Sequence, residues 1–200
     1  MTKKQTKTKF SLKKEYQKSW EYLKDSKKFI LIVVGIFFAF TLIGFFMPSS
    51  EYLSEKIMDF IKEILLKTEG MSQSQLISFI FLNNVQSSFL SMIFGIFLGI
   101  FPIISAIANG YLLGFVANLA IQEGGLFSLW RILPHGIFEL PAVFISFALG
   151  LRIGVSIFNK KKFRKFNENF ISCLKVFVLI IIPLLIIAAI IEGTLIFLEA

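Results

Sequence analysis

Residues 83–114, NNVQSSFLSMIFGIFLGIFPIISAIANGYLLG, and residues 133–154, LPHGIFELPAVFISFALGLRIG, decide the fold. Both are as apolar as a membrane interior, yet they hold most of the small and polar residues of the chain. Three times two glycines stand four apart: Gly95 and Gly99, Gly110 and Gly114, Gly150 and Gly154. The same step extends them to Ser87, Ser91, Gly95, Gly99, then Ala106, Gly110, Gly114, Asn118, then Ala142, Ser146, Gly150, Gly154. On a helix each series is one stripe of small residues. Apolar side chains gain nothing by meeting each other in lipid, so helices associate where small residues let backbones approach. The stripes predict three helices packed closely on one another.

The totals agree with a membrane protein. Of 200 residues 56% are hydrophobic, 25 are Phe, and the mean hydropathy is +0.76. The formal charge of +8 raises nucleic acid as a partner, but the basic residues form two blocks beside apolar runs rather than one basic face. Ten Lys lie in residues 1–28, and Lys160, Lys161, Lys162, Arg164 and Lys165 form the second block. Blocks of this kind anchor to the inner leaflet and set orientation, so membrane lipid is the expected partner and nucleic acid is not. The single Cys173 cannot form an internal disulfide and says nothing about redox compartment.

Working outward, residues 1–28 read as a cytoplasmic basic segment, either a solvated tail or an amphipathic helix on the inner surface. Residues 29–200 read as a single transmembrane helical domain. Phe29 to Met47 gives 19 residues without a charge, about 28 Å of helix, which matches the hydrocarbon thickness. No small-residue cleavage site follows it, so the span is expected to be retained. Within residues 49–74, Leu53, Ile57, Phe60, Ile61, Ile64 and Leu65 recur at helical spacing among Glu51, Glu55, Asp59 and Glu63, predicting an extracytoplasmic amphipathic helix. Gly70 is its expected C-cap, with Ser72 or Ser74 capping the next helix.

Leu76 to Asn118 is 43 residues without a charge, twice what one crossing needs. Pro102 therefore suggests a turn between two spans. Residues 126–134 are too short to cross and carry Trp130 and Arg131, which fits a short re-entrant or interfacial helix. Pro141 lies inside the next span and Pro183 inside the last. The expected spans are about 29–48, 76–99, 102–121, 135–158 and 171–197. Five crossings keep both basic blocks on the cytoplasmic side, with the N-terminus inside and the C-terminus outside. The fold class is thus all-α, a polytopic bundle of five transmembrane helices.

Ionisable and amide residues inside spans are costly and so are candidates for function. Asn83, Asn84 and Gln86 lie in the second span, Asn109 and Asn118 in the third, and His135 and Glu139 at the outer end of the fourth. The five candidates among them are Asn83, Asn84, Asn109, His135 and Glu139. His135 and Glu139 are four apart, on one helical face. Three readings stay open for this cluster: hydrogen bonds between helices, a solute or proton path, and hydrolytic or metal chemistry. The last is disfavoured, because the chain has one His, no second carboxylate is expected beside Glu139, and no Gly-x-Ser-x-Gly or phosphate-cradling loop is present. Neither an enzyme nor a cofactor or bound metal is expected.

The runs Asn83-Asn84, Gly95-Ile-Phe-Leu-Gly99-Ile-Phe-Pro102, Asn109-Gly110-Tyr-Leu-Leu-Gly114, Leu133-Pro134-His135-Gly136-Ile-Phe-Glu139-Leu-Pro141-Ala142 and Gly150-Leu-Arg152-Ile-Gly154 resemble the stage II sporulation protein M family. The Pro-His-Gly-x-x-Glu run after the Asn-Gly run is the specific part of the likeness. In spore formers the resemblance implies a membrane component of the engulfment machine that holds peptidoglycan-cleaving partners and has no hydrolase activity itself. Members also occur in prokaryotes that form no spores. The resemblance assigns no catalytic residue, so the five polar residues enter as signature positions.

Two functions follow as expectations. One is a plasma-membrane scaffold of a prokaryote, whose outer segments (residues 49–74 and 122–134, and the C-terminus) bind other membrane or extracytoplasmic proteins. The other is a permease-like or channel subunit moving a small solute or protons past the polar cluster. The glycine stripes can be satisfied within one bundle or across a dimer, which leaves a homo-oligomer open.

Overall fold

In a computed structural model of the chain, residues 11–47, 49–131, 133–157 and 162–199 are described, without the side chains of residues 130–135, 161–165 and 199. All regular structure among them is helical: α1 (Leu12–Asp25), α2 (Lys27–Phe46), α3 (Glu51–Thr68), α4 (Gln73–Phe94), α5 (Ile100–Gly124), a 3-10 turn (Leu126–Arg131), α6 (Leu133–Ser156), α7 (Lys162–Val176), a π-helical segment (Phe177–Ile181) and α8 (Ile182–Glu199). Among the described residues, five stretches are long and apolar enough to cross a membrane: Lys27–Phe46, Gln73–Phe94, Ile100–Gly124, Gly136–Ser156 and Phe166–Leu198. The molecule is an all-α, polytopic membrane bundle. The first ten residues and the centre of the second basic block, expected at the inner surface, lie outside the described residues.

Local chemistry explains where the helices stop. α3 starts where the Leu53 N–H donates to Ser50 Oγ at 3.3 Å, and beyond its end Gly70 takes φ +72, a left-handed value that costs glycine little. The Ser72 N–H donates to Gln75 Oε1 at 2.8 Å, one half of a capping box at the start of α4. The turn between α4 and α5 occupies residues 95–99, where Leu98 (φ 57) and Gly99 (φ 75) are both left-handed. Pro102 falls in the first turn of α5, where no intrahelical N–H bond is lost. Pro183 has no N–H for its own turn, and just before it the backbone widens, with the Ile182 N–H reaching Phe177 O. α7, the π segment and α8 therefore run on as one rod, within which Phe166–Leu198 is long and apolar enough to cross a membrane.

α6 is the centre of the bundle. One core joins Leu23, Met92, Ala142, Leu149, Ile153, Cys173, Val176, Phe177, Ile181 and Leu185, from α1, α4, α6, α7, the π segment and α8. A second joins Val33, Phe37, Ala106, Phe144, Phe147, Ala148 and Leu151, from α2, α5 and α6. Phe37 meets Phe144 edge to face, with ring centroids 4.9 Å apart. Apolar side chains such as Leu31, Leu42 and Phe46 point away from both cores, as a lipid-facing surface requires.

α4, α5 and α6 pack on one another, as expected: Ser91 Oγ of α4 donates to Ser105 Oγ of α5 at 3.1 Å, and a Cβ on Gly150 of α6 would overlap Pro102 of α5. The glycine stripes themselves do not all face one another. A Cβ on Gly95 would overlap the backbone of Gly150, and one on Gly154 would overlap Gly99 and Gly95 O, so the first and third stripes meet. The second faces α2 instead: Gly110 lies on Phe37 O, Gly114 on Thr41 O, and Gly44 of α2 on Tyr111 O. Two pairs of close-packed helices result. A lone glycine in α2, which makes no stripe with Gly35 nine residues away, completes the second.

Candidate functional site

Three side chains from three helices meet within the bundle. Glu139 of α6, half-buried, faces the Glu192 carboxyl of α8 and the Asn84 amide of α4. Glu192 Oε2 is out of reach of solvent and has no hydrogen-bond partner among the described residues. α4 and α8 are tied beside this site, where Gln73 Nε2 donates to Thr194 Oγ1 at 3.0 Å and Gly193 lies on the Ile77 backbone. One turn along α4 from Asn84, on the same face, the Ser146 hydroxyl of α6 donates to Ser88 O at 2.6 Å.

The presence of Glu192 corrects the expectation that no second carboxylate stands beside Glu139. The last helix supplies it across 53 residues of chain. Its signal was a carboxylate within the apolar run from Ile182 to Leu198, and an acid so placed is a candidate for function. Two carboxyls and an amide can share protons or hold a small cation. Among the described residues, however, no three His, Cys, Asp or Glu side chains converge as a metal site.

The other signature residues scatter. Asn83 is exposed on α4, turned away from Asn84's partners. Asn109 is exposed and donates to Ser105 O of its own helix at 2.8 Å. Asn118, from the end of the second stripe, donates to Phe45 O of α2 at 3.0 Å. The His135 side chain lies outside the described residues, as do those of Trp130 and Arg131. Two of the five candidates, Asn84 and Glu139, thus come together, with Glu192 as a third member.

A second polar contact closes the opposite end of the bundle. The Arg152 guanidinium of α6 lies 3.8 Å from the Tyr22 ring centroid, and its Nη1 donates to Tyr22 O at 3.0 Å and to Ser26 Oγ at 2.6 Å. The Tyr22 hydroxyl stands 3.5 Å from Cys173 Sγ. Burial first, and then the neighbouring thiol, push the Tyr22 phenol well above its ordinary value. A charged side chain so held fixes α1 to α6 and α7.

Outside the core, α3 has no buried residue. Ser54 and Met58 of α3 line a cleft of about 520 Å³ with Phe45, Met47, Phe115, Asn118 and Gln122. Phe60, Leu65 and Leu66 stay exposed.

A sequence profile of the family described as stage II sporulation protein M matches residues 30–195. An uncharacterized protein of Methanocaldococcus jannaschii is 27% identical over 175 residues, covering 84% of this chain and 78% of the relative. No solved structure matches.

Proposed function

The chain belongs to the stage II sporulation protein M family, and from that membership we propose that it is a membrane scaffold without chemistry of its own. It recruits or organises extracytoplasmic partners in the plasma membrane of a prokaryote, with its N-terminus in the cytoplasm. In a spore former those partners are peptidoglycan hydrolases of the engulfment machine. The observation that supports this reading most is α3. An amphipathic helix strung between two crossings, with no buried residue and with Phe60, Leu65 and Leu66 exposed, offers a face on the side opposite the Lys-rich end. The test is gentle extraction of the tagged protein from its native membrane and mass spectrometry of its companions. Stoichiometric recovery of a wall hydrolase or another surface protein supports the scaffold. Recovery of a cytoplasmic ATPase, or of the chain alone in a fixed oligomer, rejects it.

A second reading rests on the carboxyl pair. Glu139, Glu192 and Asn84 inside the bundle favour a permease-like or channel subunit passing protons or a small solute. That reading requires flux in liposomes that Glu139→Gln abolishes. A tight seal to protons and to every tested solute rejects it.

A further inference from the structure

We infer that the exposed Leu12, Tyr16 and Trp20 stripe of α1 docks on the anionic surface of the bilayer leaflet on its own side. These residues are four apart, so they form one line along the helix. They are 65%, 49% and 45% exposed, although α1 is packed against the bundle. The packing uses another face: Ser19 and Leu23 are buried, Glu15 is bonded to Lys175 of α7, and Tyr22 lies under Arg152. These contacts fix the roll of α1 and leave the aromatic stripe pointing away from the protein.

The occupant follows from position and charge. Ser26 alone separates α1 from the first crossing, and hydrogen bonds run across it from Ser26 N–H to Tyr22 O and from Ile30 N–H to Ser26 O. Trp20 lies seven residues before Lys27, at most about 10 Å along a helix, so it stays within about 10 Å of the level at which the crossing starts. The lipid-facing surface resumes on α2 at Leu31, 60% exposed. Trp and Tyr favour this depth because the ring is apolar and its polar atom stays wet. Lys13 stands one turn before Tyr16, Lys24 one turn after Trp20, and Lys27 and Lys28 open the crossing, all four exposed. Long basic side chains there lay their stems on the apolar stripe and their ammonium groups on lipid phosphates. Of the acids on α1, Glu15 is held by Lys18 and Lys175. Glu21 and Asp25, both exposed, stand about 100° and about 140° round the helix from Trp20, farther than Lys24 at about 40°, so the residues bordering the stripe on its open side are basic.

The test uses the full chain with Trp130→Phe, which makes Trp20 the only indole, reconstituted in phosphatidylcholine vesicles with or without phosphatidylglycerol. Bromine near the headgroup end of the acyl chains is expected to quench Trp20 more than bromine near the bilayer centre. Brominated phosphatidylglycerol is expected to quench more than brominated phosphatidylcholine at equal fraction, and Lys13→Gln with Lys24→Gln abolishes that preference. Both lysines lie off the face that meets α7, so helicity by circular dichroism stays unchanged. Quenching by aqueous iodide with indifference to brominated lipid overturns the docking. Shielding from both quenchers overturns it too, because another protein or a second copy then covers the stripe. Equal quenching by neutral and anionic lipid overturns the anionic assignment.

Discussion

The Glu139 carboxyl of α6 faces the Glu192 carboxyl of α8, with the Asn84 amide of α4 beside it. A carboxylate only accepts hydrogen bonds, so two carboxyls bond directly only when one carries a proton, whereas an amide brings its own donors. Glu139→Gln is therefore expected to keep the fold, and Glu139→Leu to destabilise it by about 1–3 kcal/mol because Glu192 and Asn84 lose their partner. Thermal unfolding in detergent of Glu139→Gln, Glu192→Gln and the double variant closes a cycle. Groups in contact give a coupling of about 0.5–3 kcal/mol. Additive losses would mean that the two carboxyls act independently.

That pair also marks the limit of what the sequence discloses. Runs such as Leu76 to Asn118 have only one stable arrangement in lipid, since every backbone polar group must be satisfied within its own helix. Five helices long and apolar enough to cross, and the amphipathic α1 and α3, were legible for that reason. Partnership was not. A stripe of small residues shows that a helix will be approached but not by which neighbour, and so the second stripe's pairing with Gly44 had no signal. Glu192 sits seven residues before the end of α8, at a depth that residue counting alone treats as surface.

The glycine contacts predict a graded series. Alanine at Gly95, Gly150 or Gly154 puts a methyl group into a neighbouring backbone, and alanine at Gly110 or Gly114 does the same against α2. Overpacking of this kind costs about 1–3 kcal/mol. Gly35 has nothing within 4 Å of an added Cβ, so Gly35→Ala should leave the unfolding midpoint in detergent unchanged or higher. Equal losses at Gly35 and Gly95 would remove the argument from close approach.

Glu15 predicts an acid-sensitive contact between α1 and α7. Lys175 first, and then Lys18, hold its carboxyl below the usual carboxylate range. A group whose folded value is depressed stabilises the fold above its unfolded value, near 4.3 for Glu, and this contribution is lost as pH falls through the lower folded value. Amide exchange in α1 should then quicken, relative to the other helices, on acidification below about pH 4. Glu15→Gln should show the faster exchange at neutral pH and no further acid step. Acid sensitivity that survives this substitution would have to come from another group.

Arg152 and Cys173 give a chemical readout of the same clasp. Cys173 is fully buried, and above it lies Tyr22, itself held by the Arg152 guanidinium over its ring and by the bond from Arg152 Nη1 to its carbonyl. Alkylation of the thiol requires α1 to lift. Removing a stacked guanidinium and its two hydrogen bonds weakens the closed state by about 1–3 kcal/mol, which raises the open population roughly 5- to 150-fold when opening is local. Arg152→Ala is thus expected to speed maleimide labelling of Cys173 in detergent by at least about tenfold. Arg152→Lys should fall between it and the parent, because an ammonium keeps the charge but loses the planar stack and the fork. Tyr22→Ala, which removes the cover itself, should label fastest. Should Arg152→Ala label at the parent's rate while Tyr22→Ala labels quickly, the guanidinium is not what holds α1 down, and the Glu15 to Lys175 bond becomes the remaining candidate for that role.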